Sequence, residues 1–101
     1  MIHKIEGKAC KNIFEKALGL MFSIKPRTLI FAFGKEQINP LHMFFVFFPI
    51  DVYFLDRYKE IIEVKKRFKP WAFYTPKKKA KYVIETEVGK LKVKLGDKIS
   101  W

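Results

Sequence analysis

The stretch INPLHMFFVFFPIDVYFLD, residues 38–56, decides the fold of this chain. It carries six aromatic side chains and is broken by Pro49 and Asp51. Full burial of one large apolar side chain stabilises a fold by about 1.5–3 kcal/mol, so this stretch is predicted to build the core. Because proline lacks the amide hydrogen that a central strand needs, the break predicts two strands, 41–48 and 50–55, instead of one helix.

Shorter segments on either side alternate apolar and polar residues, which is typical of half-buried strands. Asn12 and Glu15 form a capping-box pattern at the start of a helical spacing, so one short helix is predicted over 12–21. Segment 34–40 is predicted to be a loop. Segment 69–80 contains two prolines and is predicted to be a long irregular connection, which we call the excursion. Further strands are predicted at 1–6, 28–33, 60–67, 81–87 and 98–101, with 50–55 and 60–67 as a hairpin. We therefore predict a mainly β (β-rich α+β) fold: a small barrel-like or sandwich-like antiparallel sheet with one short helix.

Composition limits the class of protein. A chain of 101 residues is expected to form a single domain, 1–101, with one modest core. Its single cysteine, Cys10, excludes an internal disulfide and a cysteine-only metal cluster. The longest apolar stretch, 41–55, is too short and too interrupted to span a bilayer. The start MIHKIEGKACKN has no apolar h-region, so we predict no signal peptide and expect a cytoplasmic monomer.

Four blocks of sequence are similar to a known family. They are FEKALGLMF (14–22), LIFAF (29–33), HMFFVFFPIDVYFLD (42–56) and AKYVIETEVGKLKVKLGDKI (80–99). In order and spacing they resemble the domain-of-unknown-function family 192, over about residues 9–99. The resemblance implies a compact β-rich domain with a helix laid across it, and no established activity. The chain departs from the family pattern at His42, where tryptophan is usual, and at Ile50, where leucine is common.

His42 and Asp51 are the polar side chains inside the aromatic stretch, and they suggest a ligand site. One hypothesis is a cleft near His42, Met43 and Asp51, flanked by residues 68–79, that binds an unknown small ligand or protein. A buried carboxylate without a partner often marks a functional site. The more ordinary alternative is that both residues cap turns at strand ends, with Asp51 accepting hydrogen bonds from backbone amides of a loop.

No set of residues identifies a reaction. Cys10, Ser23 and Ser100 lack the surroundings of an activated nucleophile. The histidines, His3 and His42, lack the spacing of a metal-ligand set, and isolated glycines cannot form a phosphate loop. We therefore predict no catalytic residue, no metal, no cofactor and a non-catalytic binding or accessory role.

The net charge of +11 is high for 12 kDa and favours polyanionic partners. Bases interleaved with aromatic residues over 65–82 are typical of surfaces that bind single-stranded RNA or DNA, so nucleic-acid binding is the alternative function. The residues that would contact nucleic acid are Lys65, Lys66, Arg67, Lys69, Trp71, Tyr74, Lys77, Lys78 and Lys79. The ordinary explanation is that these lysines keep a sheet edge soluble, or that the protein comes from a hot environment.

Overall fold

The computed structural model of the protein describes residues 2–4, 8–10, 28–42 and 47–101. Strands dominate these residues, and no helix occurs among them. The helix predicted over 12–21 and Met43 lie outside the described residues. The strands are β1 (Ile2–Lys4), β2 (Lys8–Cys10), β3 (Leu29–Gln37), β4 (Leu41–His42), β5 (Ile50–Leu55), β6 (Ile61–Phe68), β7 (Phe73–Tyr74), β8 (Ala80–Glu87) and β9 (Lys98–Ser100).

A five-stranded sheet in the order β2-β3-β8-β5-β6 organises the domain. Strand β8 lies at its centre and pairs antiparallel with both β3 and β5. The β2–β3 pair is parallel, as is the separate β1–β9 pair. The predicted mainly β class is confirmed, and the described strands form an open sheet that does not close on itself.

Strand β5 is the core strand that the aromatic stretch predicts. All six of its residues are buried, because it is flanked by β6 and β8 and covered on both faces. Alternate side chains of a strand point to opposite faces, and β5 accordingly supplies two clusters. The first core cluster contains Leu29, Phe31, Ile50, Val52, Phe54, Phe68, Ala80 and Val83. The second contains Ile30, Tyr53, Leu55, Ile61, Ile84 and Ile99.

Different chain segments cover the two faces. Leu41, Phe48 and Tyr74 pack against the first core cluster, so the small β4–β7 sheet lies on that side. Leu91, Val93 and Trp101 pack against the second core cluster. In the segment KLKVKL (90–95), Leu91 and Val93 therefore lie on the core side, whereas Leu95 is exposed. Residues 90–95 pair with no strand in the part of the chain that the structure describes.

The predicted β5–β6 hairpin is confirmed. Its loop lacks glycine, and Asp56 compensates because its carboxylate accepts hydrogen bonds from the amides of Tyr58 (2.9 Å) and Glu60 (3.1 Å). Lys59 adopts the left-handed conformation, with φ of 63°, which glycine takes more readily. Local side-chain hydrogen bonds thus replace the turn residues that a hairpin usually needs.

Strand β6 is longer than its partner. Its eight residues face the six of β5, and the register shifts between Ile50 and Val52 and again between Phe54 and Leu55. Two β-bulges therefore bend this edge strand. Bulges of this kind also discourage an exposed edge from pairing with another chain.

Several predicted boundaries are wrong. Residues 34–37, predicted as loop, continue β3 through a bulge: four residues separate Ala32 from Gln37, whereas one separates their partners Tyr82 and Ala80. Of the predicted strand 41–48, only the first two residues form a described strand, and Phe47 and Phe48 lie outside any strand. Sequence alternation does not reveal such bulges, because they depend on what the neighbouring strand requires.

Candidate functional site

Asp51 is fully engaged inside the protein. Its side chain lies in β5 with 1% of its surface exposed. The carboxylate accepts hydrogen bonds from the backbone amides of Arg67 (2.9 Å) and Gly89 (3.0 Å), and the Lys66 ammonium lies 3.5 Å away. These contacts fix the first β6 bulge and the turn that follows β8. This geometry matches the more ordinary alternative of the sequence analysis, in which Asp51 accepts hydrogen bonds from backbone amides.

The structure places two of the three residues of the predicted cleft, His42 and Asp51, in different sheets. Asp51 alternates with Ile50 and Val52, whose side chains belong to the first core cluster, so its carboxylate faces the other side of the sheet. His42 lies in β4, opposite Phe73, and this small sheet covers the first core cluster. Met43 lies outside the described residues. The cleft near His42, Met43 and Asp51 stays a prediction.

The basic run of β6 is divided between the two faces of the sheet. Lys65 lies directly opposite Val52, and its ammonium lies 5.4 Å from the centre of the Tyr74 ring. Lys66 donates a hydrogen bond of 2.7 Å to the Tyr53 hydroxyl on the other face. This hydrogen bond raises the pKa of Lys66 above its ordinary value. Neighbours in sequence thus face different surroundings, as the strand period requires.

Glu63 organises the lysine-rich loop that follows β7. Its carboxylate accepts hydrogen bonds from the backbone amides of Lys77 (2.9 Å) and Lys78 (3.0 Å). The Tyr74 hydroxyl donates a third hydrogen bond to the same carboxylate, and this bond raises the pKa of Tyr74 to about 12. The Tyr74 ring itself packs near Phe54, with ring centres 6.0 Å apart. One acid therefore anchors the loop to β6.

Exposed aromatic rings occur on the same excursion as these lysines and in contact with it. Trp71 is 50% exposed, Phe73 is 71% exposed and Phe47 is 58% exposed. The rings of Phe47 and Trp71 meet edge to face, with centres 6.4 Å apart. Lysines 69, 77, 78 and 79 are exposed on the same excursion. We call the set Phe47, Lys69, Trp71, Phe73, Lys77, Lys78 and Lys79 the aromatic–lysine surface.

The aromatic–lysine surface was only partly predictable. Lys69, Trp71 and Lys77–Lys79 were identified from the sequence by the interleaving of bases and aromatics. Phe47 was missed because it lies within the phenylalanine-rich stretch, where burial was expected. Its position two residues before Pro49 is the available signal, since proline interrupts a strand and a side chain beside such a break is not held in the alternation of the sheet.

Glu85 is a titratable group that the sequence interpretation overlooked. It lies in the central strand β8, directly between Leu29 of β3 and Val52 of β5. Its side chain is half-buried, and loss of hydration raises its pKa to about 7. The signal available in the sequence was an acid inside the KYVIETE alternation, which predicts a strand. The structure adds that the residues paired with Glu85 on both sides belong to the core. A carboxyl group with this pKa exchanges protons near neutral pH.

The described residues contain neither a metal-ligand cluster nor a helix that could span a membrane. Among residues 2–4, 8–10, 28–42 and 47–101, no group of three or more histidine, cysteine or acidic side chains could hold a metal ion. Within the same ranges, no helix has the length and apolar character needed to cross a membrane.

Relatives in archaea are similar to the chain over most of its length. A UPF0127 protein of Pyrococcus abyssi is 43% identical over 105 residues, covering 97% of this chain and 89% of the relative. A UPF0127 protein of Pyrococcus furiosus is 41% identical and covers 97% of this chain and 88% of its own. A UPF0127 protein of Thermococcus sibiricus is 39% identical, and the match covers 100% of this chain and 73% of the relative. These names state no activity.

Solved structures share the fold at lower identity. A protein of unknown function from Novosphingobium aromaticivorans superposes with a TM-score of 0.83 at 22% identity, covering 92% of this chain and 72% of its own. A proposed transcription regulator from Sinorhizobium meliloti gives a TM-score of 0.79 at 21% identity, covering 96% and 78%. The family model DUF192, described as "Uncharacterized ACR", matches residues 1–101. The chain therefore belongs to the domain-of-unknown-function family 192, whose archaeal members are the UPF0127 proteins.

Proposed function

We propose that the protein is a non-catalytic binding domain that holds single-stranded RNA or DNA on the aromatic–lysine surface. The observation that carries this proposal is the exposure of Trp71 and Phe73 on the same excursion, 69–80, as four exposed lysines. Large apolar rings are normally buried, and exposed rings on a lysine-rich segment suit the stacking of unpaired bases. The shared fold with the Sinorhizobium protein adds nothing here, because 21% identity shows the fold alone.

The lysines supply the phosphate contacts. Four exposed ammonium groups, on Lys69, Lys77, Lys78 and Lys79, flank the rings in sequence. Each neutralised phosphate of a single strand contributes about −0.7 to the slope of log affinity against log salt. Four contacts therefore give a slope of about −3. The 21 basic residues comprise 18 lysines and three arginines. Lysine lacks the planar fork of arginine, so this excess favours contacts with the phosphate backbone over recognition of nucleobases.

Glu63 and the core hold this surface in shape before any ligand arrives. Two amides of the lysine loop and the Tyr74 hydroxyl are bound to one carboxylate. A loop fixed in advance loses less conformational entropy on binding. Four of the nine residues in the sequence-based nucleic-acid set are not part of this surface. The Lys65 ammonium lies by the Tyr74 ring, Lys66 contacts Tyr53, the Arg67 amide donates to Asp51, and Tyr74 packs inward.

Surface charge alone has a simpler explanation. The relatives belong to Pyrococcus and Thermococcus, and lysine-rich surfaces are common in proteins from hot environments. That explanation covers the lysines but not the exposed Trp71, Phe73 and Phe47. The experiment must therefore separate the position of the lysines from their number.

Fluorescence anisotropy with labelled 15-mers of oligo(dT) and oligo(rU) tests the proposal at several salt concentrations. A triple variant, Lys77→Gln, Lys78→Gln and Lys79→Gln, is compared with a matched control that changes lysines 90, 92 and 94, which are also exposed. We expect the first triple to weaken binding at least tenfold and the control less than threefold. Trp71→Ala should weaken binding about fivefold to a hundredfold, the range expected for one lost base stack.

Two outcomes would contradict the proposal. One is equal loss of affinity in both triple variants, because net charge alone would then explain binding. The other is no binding to either oligonucleotide at low salt. A monomeric state and a cytoplasmic location are part of the same proposal; the single cysteine fits a reducing compartment.

A further inference from the structure

A second basic site is built from residues outside the aromatic–lysine surface, where three separate elements meet. The β3 bulge supplies Gly34, Lys35 and Glu36, the β5–β6 turn supplies Arg57, and strand β8 supplies Lys81. These residues line an open cavity of about 250 Å³. We call it the Arg57 groove. None of its residues belongs to the nucleic-acid set predicted from sequence.

Glu36 holds Arg57 in position at this groove. Its carboxylate accepts one hydrogen bond of 2.9 Å from the Arg57 backbone amide and another of 2.9 Å from a terminal guanidinium nitrogen. The side-chain hydrogen bond to Arg57 is the largest cause that lowers the pKa of Glu36 below its ordinary value. A guanidinium group has five N–H donors, and 61% of the Arg57 side chain is exposed. Arg57 is therefore oriented by Glu36 while most of its donors remain available to a ligand.

The charge of the groove is positive. Lys35, Arg57 and Lys81 contribute three positive charges and Glu36 one negative charge, which leaves an excess of two. Gly34 adds no side chain, and a Cβ atom built there would meet nothing within 4 Å. The groove therefore has open space beside a fixed guanidinium and two ammonium groups, which is the set of donors that binds a phosphate group.

We propose that the Arg57 groove binds a phosphate group carrying two negative charges, either free or at the end of a larger molecule. Its volume suits a compact oxyanion and lies below the range of about 300–1,000 Å³ typical of drug-sized ligands. The Arg57 fork supplies a bidentate contact, and Lys35 and Lys81 neutralise the remaining charge. This inference is independent of the proposed function, because it uses none of the residues of the aromatic–lysine surface.

Titration with sodium phosphate at pH 8 and constant ionic strength, followed by amide chemical shifts in ¹⁵N-labelled protein, tests the site. We expect the amides of Gly34, Lys35, Arg57 and Lys81 to shift together and to saturate. Arg57→Gln and Lys81→Gln should each raise the dissociation constant at least fivefold. The matched control Lys98→Gln, an exposed lysine in β9, should change it less than twofold.

A second arm separates the two sources of phosphate. A 15-mer with a 5′-phosphate is compared with the same 15-mer bearing a 5′-hydroxyl, and a preference that Arg57→Gln abolishes assigns the groove to strand ends. Binding of inorganic phosphate without that preference assigns it to free phosphate. Should Arg57→Gln disturb the turn, Lys35→Gln gives the same test without touching the hydrogen bonds of Glu36. Shifts that spread over lysine amides on all sides without saturating, or equal effects of Lys81→Gln and Lys98→Gln, would overturn the proposal.

Discussion

Replacement of Asp51 by alanine should severely destabilise the protein. The substitution leaves the amides of Arg67 and Gly89 without their acceptor, in a region where Asp51 is 1% exposed. A hydrogen bond to a charged group contributes about 1.5–3 kcal/mol, and a buried unsatisfied amide costs about 1–3 kcal/mol. Allowing for partial entry of water at the Gly89 turn, we expect a loss of about 3–5 kcal/mol from the free energy of unfolding.

Guanidinium unfolding followed by circular dichroism measures this loss. For a domain of this size, each 1 kcal/mol lowers the melting temperature by about 4–8 °C, so the shift should be about 20 °C. Asp51→Asn keeps one carbonyl acceptor but sets its amide group against a second donor, so we expect a loss of about 2–3 kcal/mol. The matched control is Glu87→Gln, an exposed acid on the neighbouring strand, which should stay within about 0.5 kcal/mol of the original protein.

The result that would refute this reasoning is a loss below 1 kcal/mol for Asp51→Ala. The amides of Arg67 and Gly89 would then be satisfied by water, and Asp51 would be free for a ligand as the sequence suggested. A folded Asp51→Asn protein provides a second check. Its affinity for oligonucleotides should be unchanged, since the carboxylate lies on the face of the sheet opposite to β4 and β7.

Three other changes test the structure. The free energy of unfolding should fall as pH rises from about 4.5 to about 7, because the folded protein binds the Glu85 proton more tightly than the unfolded chain does. This fall should amount to up to about 3 kcal/mol, and Glu85→Gln should remove it, as measured by guanidinium unfolding at pH 4.5 and 8. An equal change in the free energy of unfolding between the two pH values in both proteins would contradict the assigned pKa. Glu63→Gln should weaken oligonucleotide binding at least threefold with a loss of about 1–2 kcal/mol in stability, and amide exchange at Lys77 should accelerate; unchanged exchange would show that Glu63 does not hold the loop. Gly89→Ala, at φ of 77°, should lower stability by about 1 kcal/mol, whereas Gly34→Ala, with open space and no such strain, should lie within about 0.5 kcal/mol in the same melts.

The hairpin of β5 and β6 was predictable because its information is local. An apolar run of strand length, a polar turn and a second alternation follow one another within 19 residues, 50–68. The excursion after β6 was predictable in outline, since Pro70 and Pro76 interrupt a ladder, but the short strand β7 between them, which pairs with β4, was not predicted. The β3 bulge was not predictable from local sequence, because one of its residues, Glu36, is held by a hydrogen bond from Arg57, twenty-one positions away.

Asp51 and Glu85 show why site prediction failed where fold prediction worked. Both are acids inside predicted strands, and both lie beside core residues. Asp51 was predicted to be a ligand residue, yet its carboxylate accepts hydrogen bonds from two backbone amides, one in β6 and one in the turn after β8. Glu85 was not singled out, yet its position between two core strands raises its pKa to about 7. Whether a buried acid has a partner depends on distant segments, which no local pattern encodes.

The amino-acid order by itself determined the class of the fold, the buried strand β5 and the positive character of the surface. These follow from local polarity, proline positions and net charge, each of which acts at any point of the chain without reference to the rest. Tertiary structure alone decided which lysines share a face, which acid is satisfied and where Arg57 meets Glu36. Those outcomes depend on strand register and bulges, because a shift of one residue moves a side chain to the opposite face of a sheet.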